Sequence, residues 1–165
     1  MSKPQPLDVT VSRVIEAPAE VVYDLVSDVT RMGEYSPENT GGVWLDGSTG
    51  PTVGARFTGT NRLGSMTWST KPTITAADRG RTFSFEVPGR ARTTWTYRFE
   101  PVVGGVRVTE SVRQDRATPF PIRLLQRRAG VTDRAGHLHD AMTTTLERLA
   151  TAAERLHHQP VTGPH

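Results

Sequence analysis

From Gly41 to Gln114 the apolar side chains recur at every second position, in runs cut by turn formers, and after Val131 the period lengthens to threes and fours. Period two belongs to strands with one buried face, and the longer period to an amphipathic helix. The apolar face of the resulting sheet needs a cover, and only one helix in the chain is long enough to supply it. The expected class is therefore α+β, a curved antiparallel sheet of about seven strands wrapped around a long C-terminal helix. Sheet and helix cannot close on each other everywhere, so a mostly apolar cavity is expected between them.

Turn chemistry divides the period-two region. Leu7 to Ile15 reads as the first strand, followed by two short helices within 18–36 that start at Pro18 and stop at Gly33 and Ser36-Pro37. The next strands are Gly41 to Leu45, Ala55 to Arg62 and Met66 to Ala76, the last carrying Pro72 as the mark of an edge or a bulge. Thr82 to Val87, Thr93 to Glu100 and Val106 to Gln114 complete the set, the last two joined by a hairpin at Gly104-Gly105. Residues 115–130 are rich in Pro and Arg, with a helical turn at Ile122 to Arg127. Their position before the long helix suits a lid over the cavity mouth. The long helix carries Leu138, Met142, Thr145, Leu149 and Leu156 on one stripe and runs for about six turns. One domain over residues 1–156 and a disordered tail over 157–165 are expected.

Composition narrows the function classes. Cysteine is absent, which removes disulfides and thiolate chemistry. The N-terminal stretch has the features of neither a signal peptide nor a membrane span, so a soluble, cytoplasmic protein without membrane insertion is expected. Hydrophobic residues make up 35% of the chain, enough for a core but not a generous one, which suits a hollow protein. The net charge is +3, and six arginines (113, 116, 123, 127, 128 and 134) face two acids between Arg113 and Arg134. A basic stripe of this kind is a solvated face or a site for anionic partners, RNA or protein among them. His137 and His139 lie two apart on a helix and point to opposite sides, so no metal and no cofactor is expected.

Several segments, taken in order, carry a resemblance to a known superfamily. They are Val14 to Tyr23 (VIEAPAEVVY), Ser27-Asp28, Glu34 to Glu38 (EYSPE) and Val53 to Arg62 (VGARFTGTNR). Trp95 to Glu100 (WTYRFE) and Gly104 to Ser111 (GGVRVTES) follow. Across residues 7–155 the chain resembles the START-like, or SRPBCC, superfamily of polyketide cyclases, dehydrases and lipid-transport proteins, especially its actinobacterial members. The resemblance implies a single START-like domain with the helix-grip fold. It implies less about function, because that superfamily holds lipid carriers, hormone receptors, aromatase/cyclases and chaperone activators.

Strand parity selects the inward-facing residues. Phe57, Asn61, Trp68, Thr70, Phe83 and Phe85 share the inner face with Trp95, Tyr97 and Phe99. From the helix, Ala135, Leu138, Met142, Thr145 and Leu149 face them. Tyr35 is a further candidate hydrogen-bond donor to a ligand. About half of the aromatic residues are expected to border ligand space and the rest to be packing.

Glu110 shares the parity of Val106 and Val108, and a carboxylate on an apolar face is expensive unless paired or protonated. Either it pairs with Arg62 or Arg13 and closes the sheet, or it stands free in the cavity with a raised pKa, as a general acid or base would. The leading expectation is a binding protein for a small hydrophobic molecule such as a lipid, polyketide or isoprenoid. The alternatives are a polyketide cyclase or dehydratase with Glu110 as acid/base and Asn61 orienting a carbonyl, and an RNA or protein interaction module using residues 113–134. No DNA partner is expected, and a homodimer is compatible with the sequence.

Overall fold

The computed structural model describes residues 3–158, and its elements follow the expected order. Strand β1 (Asp8–Ile15) leads into helix α1 (Ala19–Val26) and a 3-10 helix (Val29–Glu34). Seven strands follow: β2 (Asn39–Trp44), β3 (Phe57–Leu63), β4 (Met66–Thr70), β5 (Thr73–Asp78), β6 (Thr82–Val87), β7 (Thr93–Val102) and β8 (Gly105–Gln114). Helices α2 (Phe120–Arg128) and α3 (Arg134–His157) end the chain. This is the helix-grip fold. Helix α3 continues through His157, and the rest of the expected tail, residues 159–165, lies outside those described.

All strand pairs are antiparallel. Five strands run in the order β1-β8-β7-β6-β5 and three in the order β2-β3-β4. The single strand expected over Met66 to Ala76 is two strands. Pro72 has no N–H to give a ladder, and at Lys71-Pro72 the chain leaves β4 and crosses to the larger sheet. The carbonyl of Pro72 accepts from the Phe57 amide (3.2 Å) and that of Ala55 from the Ile74 amide (2.8 Å), which stitches the two sheets at this corner.

The β7–β8 hairpin sets the register on which the site depends. Its loop is Val103-Gly104, with Gly104 at φ +84°, a conformation that glycine adopts without penalty. Val102 faces Gly105, and pairing continues without a bulge to Thr93 opposite Gln114. Gly105 has a further constraint, since a Cβ there would run into the carbonyl of Ile15 on β1.

Helix α3 starts at Asp133, whose side chain accepts from the Gly136 amide at 3.0 Å. An N-cap of this kind satisfies a backbone donor that the helix itself cannot. The two halves of α3 do different things. Leu146, Leu149, Ala150 and Ala153 are almost completely buried against β1 and α1, together with Ile15, Val22 and Val106. Tyr23 packs its ring edge-on to Phe99 (5.6 Å) and Phe83 (6.1 Å) at this closed end. Towards its N-terminus α3 instead turns Leu138, Ala141, Met142 and Thr145 to a hollow. Ala135, expected on the same face, is exposed.

Candidate functional site

The hollow has a volume of about 480 Å³, within the range of about 300–1,000 Å³ usual for small-molecule sites. Phe57, Phe85 and Trp95 form its aromatic wall, with Phe85 stacked on Trp95 (centroids 6.5 Å, planes 22° apart) and edge-on to Phe57 (5.3 Å). Met66 and Trp68 of β4 close one side, and Leu138 and Met142 of α3 the other. Along β7 and β8 the lining reaches Tyr97 and Glu110 and stops there. The next residues on that face, Phe99 and Val108, belong to the solid core. Tyr97 and Glu110 therefore stand at the inner end of an apolar chamber.

Counting back from the hairpin places Tyr97 directly opposite Glu110. The Tyr97 hydroxyl donates to Glu110 Oε1 at 2.8 Å. Glu110 Oε2 is buried and has no hydrogen-bond partner among the described residues. Among the described residues no cation lies within ion-pairing distance of this carboxyl. Arg62 turns away, its Nε donating to the carbonyl of Gly64 (3.1 Å), and Arg13 is exposed. Glu110 is thus not the arginine-paired strut considered above.

Burial pushes its pKa from 4.5 up to about 8, against a smaller lowering by the Tyr97 hydrogen bond. Burial, and then the neighbouring Glu110, push the Tyr97 hydroxyl well above its ordinary range. At neutral pH both groups hold their protons. With Oε1 accepting from Tyr97, the acid proton falls to Oε2, a donor for which the described residues provide no acceptor.

Asn61 also lies in the wall but is not bonded to Glu110. Its Oδ1 accepts from Asn39 Nδ2 at 3.4 Å, and Asn39 Oδ1 is in turn fixed by the Gly41 amide at 3.0 Å. Phe57, Trp68, Phe85, Trp95, Leu138, Met142 and Thr145 all border the chamber as parity suggested. Tyr35 and Phe83 do not. Phe83 packs among Tyr23, Phe85 and Tyr97 on the core side of the chamber's inner end. Tyr35 follows the 3-10 helix and is buried in the core, where its carbonyl accepts from Arg148 Nη1 (3.3 Å).

One contributor had no readable signal. Arg134, at the start of α3, forms two hydrogen bonds with Glu38 (2.6 and 2.7 Å), and both side chains are largely shielded within the wall. The partners are 96 positions apart, and no local pattern foretells such a pair. Helix α2, expected as a helical turn at Ile122 to Arg127, spans Phe120–Arg128, and its Ile122, Leu125 and Gln126 form part of the wall together with the loop at Pro88 to Arg92. Among the described residues no group of three His, Asp or Glu side chains could hold a metal ion. His137 and His139 are both exposed.

A curved sheet, a gripping helix and an apolar chamber between them define a helix-grip protein with a cavity for a hydrophobic ligand. The chain belongs to the polyketide cyclase / dehydrase and lipid transport family, which matches residues 6–154. A polyketide-cyclase-like protein from Corynebacterium glutamicum is similar at 32% identity over 96% of this chain and 100% of that one, with a TM-score of 0.56. The di-domain aromatase/cyclase StfQ of the steffimycin biosynthetic pathway shares the fold at 14% identity (TM-score 0.72), covering 92% of this chain and 52% of that one. Major latex-like protein 151 from Panax ginseng shares it at 13% identity (TM-score 0.68), covering 90% and 98% of the two chains. No curated protein matches the sequence.

Proposed function

We propose that the protein binds one molecule of a small, mostly apolar compound, of lipid, polyketide or isoprenoid type, and holds an oxygen of that compound against Glu110. The observation that carries this reading is the unpartnered Oε2 of a buried carboxyl at the inner end of an apolar chamber. A buried donor without an acceptor is unfavourable by about 1–3 kcal/mol, and a ligand carbonyl or hydroxyl would remove that penalty. The aromatic wall supplies the bulk of the affinity through burial, and the carboxyl supplies orientation.

The same geometry supports a second reading, a cyclase or dehydratase. A carboxyl with a pKa of about 8 is protonated at neutral pH and close enough to titration to act as a general acid. In that role Glu110 would protonate a carbonyl or a departing hydroxyl, and its conjugate base would take up a proton from the neighbouring carbon. Tyr97 would hold the carboxyl in place, and Asn61 would orient a second oxygen.

The binding reading is tested with N-phenyl-1-naphthylamine, a neutral apolar fluorophore. Its emission is expected to rise saturably on titration with the protein, at one molecule per chain. Emission that rises without saturation, or at several molecules per chain, would point to surface adsorption and reject the reading.

A further inference from the structure

Helix α2 has two faces with different chemistry, and the chamber uses only one of them. Ile122, Leu125 and Gln126 border the chamber, with Ile122 and Leu125 also 45% and 49% exposed. On the other half of the helix Phe120 and Leu124 sit one turn apart, 63% and 37% exposed. Arg123, Arg127 and Arg128 flank them, with the Arg123 guanidinium 5.7 Å from the centroid of the Phe120 ring. Arg116 precedes the helix, and no acidic residue occurs from 116 through 132. Among the described residues none of these four arginines forms an ion pair.

We propose that this outer face of α2 docks on an anionic lipid bilayer surface, with Phe120 and Leu124 entering the headgroup boundary and the surrounding arginines on lipid phosphates. An apolar ridge ringed by guanidinium groups is the composition of a helix that lies in a membrane interface. No helix among the described residues is long and apolar enough to span a bilayer, so the proposed contact is peripheral. A second copy of the chain fits this face poorly, because a twofold contact would bring the same arginines together. RNA would satisfy the arginines but leave Leu124 without a role. Helix α2 forms part of the chamber wall, so docking would bring the cavity close to the bilayer. Passage of an apolar ligand between the two rests on the proposed binding function, whereas the docking does not.

The test is co-sedimentation of the full chain with vesicles of phosphatidylglycerol and phosphatidylcholine in equal parts, compared with phosphatidylcholine alone. Binding is expected to the anionic vesicles and to fall as salt is raised. Arg127→Gln with Arg128→Gln is expected to weaken it by about twentyfold, roughly fivefold for each charge. Phe120→Ser with Leu124→Ser is expected to weaken it by about tenfold or more. Both pairs are exposed, so unchanged melting and unchanged N-phenyl-1-naphthylamine binding in vesicle-free solution should accompany the loss. Absence of anionic-vesicle binding would overturn the proposal. Vesicle binding that survives the serine substitutions would do the same. So would tighter binding to polyuridylic acid that is insensitive to those substitutions, which would assign the face to nucleic acid.

Discussion

Glu110→Gln is expected to make the protein more stable at neutral pH, raising the thermal midpoint by roughly 5–10 °C at pH 7. Glu110 has a pKa of about 8 in the folded chain and 4.5 as its ordinary value. Between those values the native state holds a proton that the unfolded chain releases. Stability therefore falls as pH rises through this window, by about 1.4 kcal/mol per pH unit, and levels off above the folded pKa. By pH 7 the wild type has lost about 3 kcal/mol or slightly more relative to a permanently neutral side chain. Glutamine stays neutral and keeps an oxygen to accept from Tyr97. Melting curves of both proteins should coincide near the acidic end of the window and separate as pH rises. Parallel curves, or a variant that melts lower at neutral pH, would show that burial does not hold the proton on Glu110. A residue that destabilises its own fold and sits in a cavity wall is what a site selected for function looks like.

Ala141→Trp is expected to abolish ligand binding while leaving the fold intact. Ala141 borders the chamber on α3 between Leu138 and Thr145, so an indole there enters empty space rather than packed atoms. Affinity for N-phenyl-1-naphthylamine should fall by about tenfold or more, with the melting temperature held or raised by the added apolar burial. Ala150 lies on the same helix but is 2% exposed within the solid core. Ala150→Trp has no void to fill and should destabilise by about 1–3 kcal/mol or more. The contrast can be read by calorimetry and probe titration. Equal loss of stability in both variants would mean that α3 is packed along its whole length and that the chamber is closed.

The fold was legible because its main signals are local. Strand alternation, the Gly104-Gly105 hairpin and the long stripe ending in Leu149 and Leu156 each report on their own element. Glu110 was legible through parity, but its partner was not. A two-residue loop at Gly104-Gly105 would set Tyr97 across from Val112, and the observed loop, one residue earlier at Val103-Gly104, sets it across from Glu110. The break at Pro72 was misjudged because the missing N–H can mark either an edge or a crossing between sheets, and only the tertiary pairing of Ala55 with Ile74 decides which. Phe83 was misplaced for a related reason, whereas Tyr35, outside the strands, had no parity to place it. Parity tells which face a side chain is on, but not whether the helix opposite is close enough to bury it or far enough to leave a hollow. The Arg134–Glu38 pair joins positions 96 residues apart and leaves no local trace.

The most direct test of a ligand oxygen held by protonated Glu110 uses two compounds that differ in one group. 2-Acetylnaphthalene carries a carbonyl and 2-ethylnaphthalene does not, and each would be competed against N-phenyl-1-naphthylamine from about pH 6 to about pH 9. The ketone should bind roughly three- to tenfold more tightly at the acidic end, the worth of one hydrogen bond. That advantage should vanish as pH rises through about 8 and Glu110 loses its proton, while the hydrocarbon stays level. Equal affinities at every pH would contradict it, and would leave the chamber as a hydrophobic cavity in which Glu110 has no part.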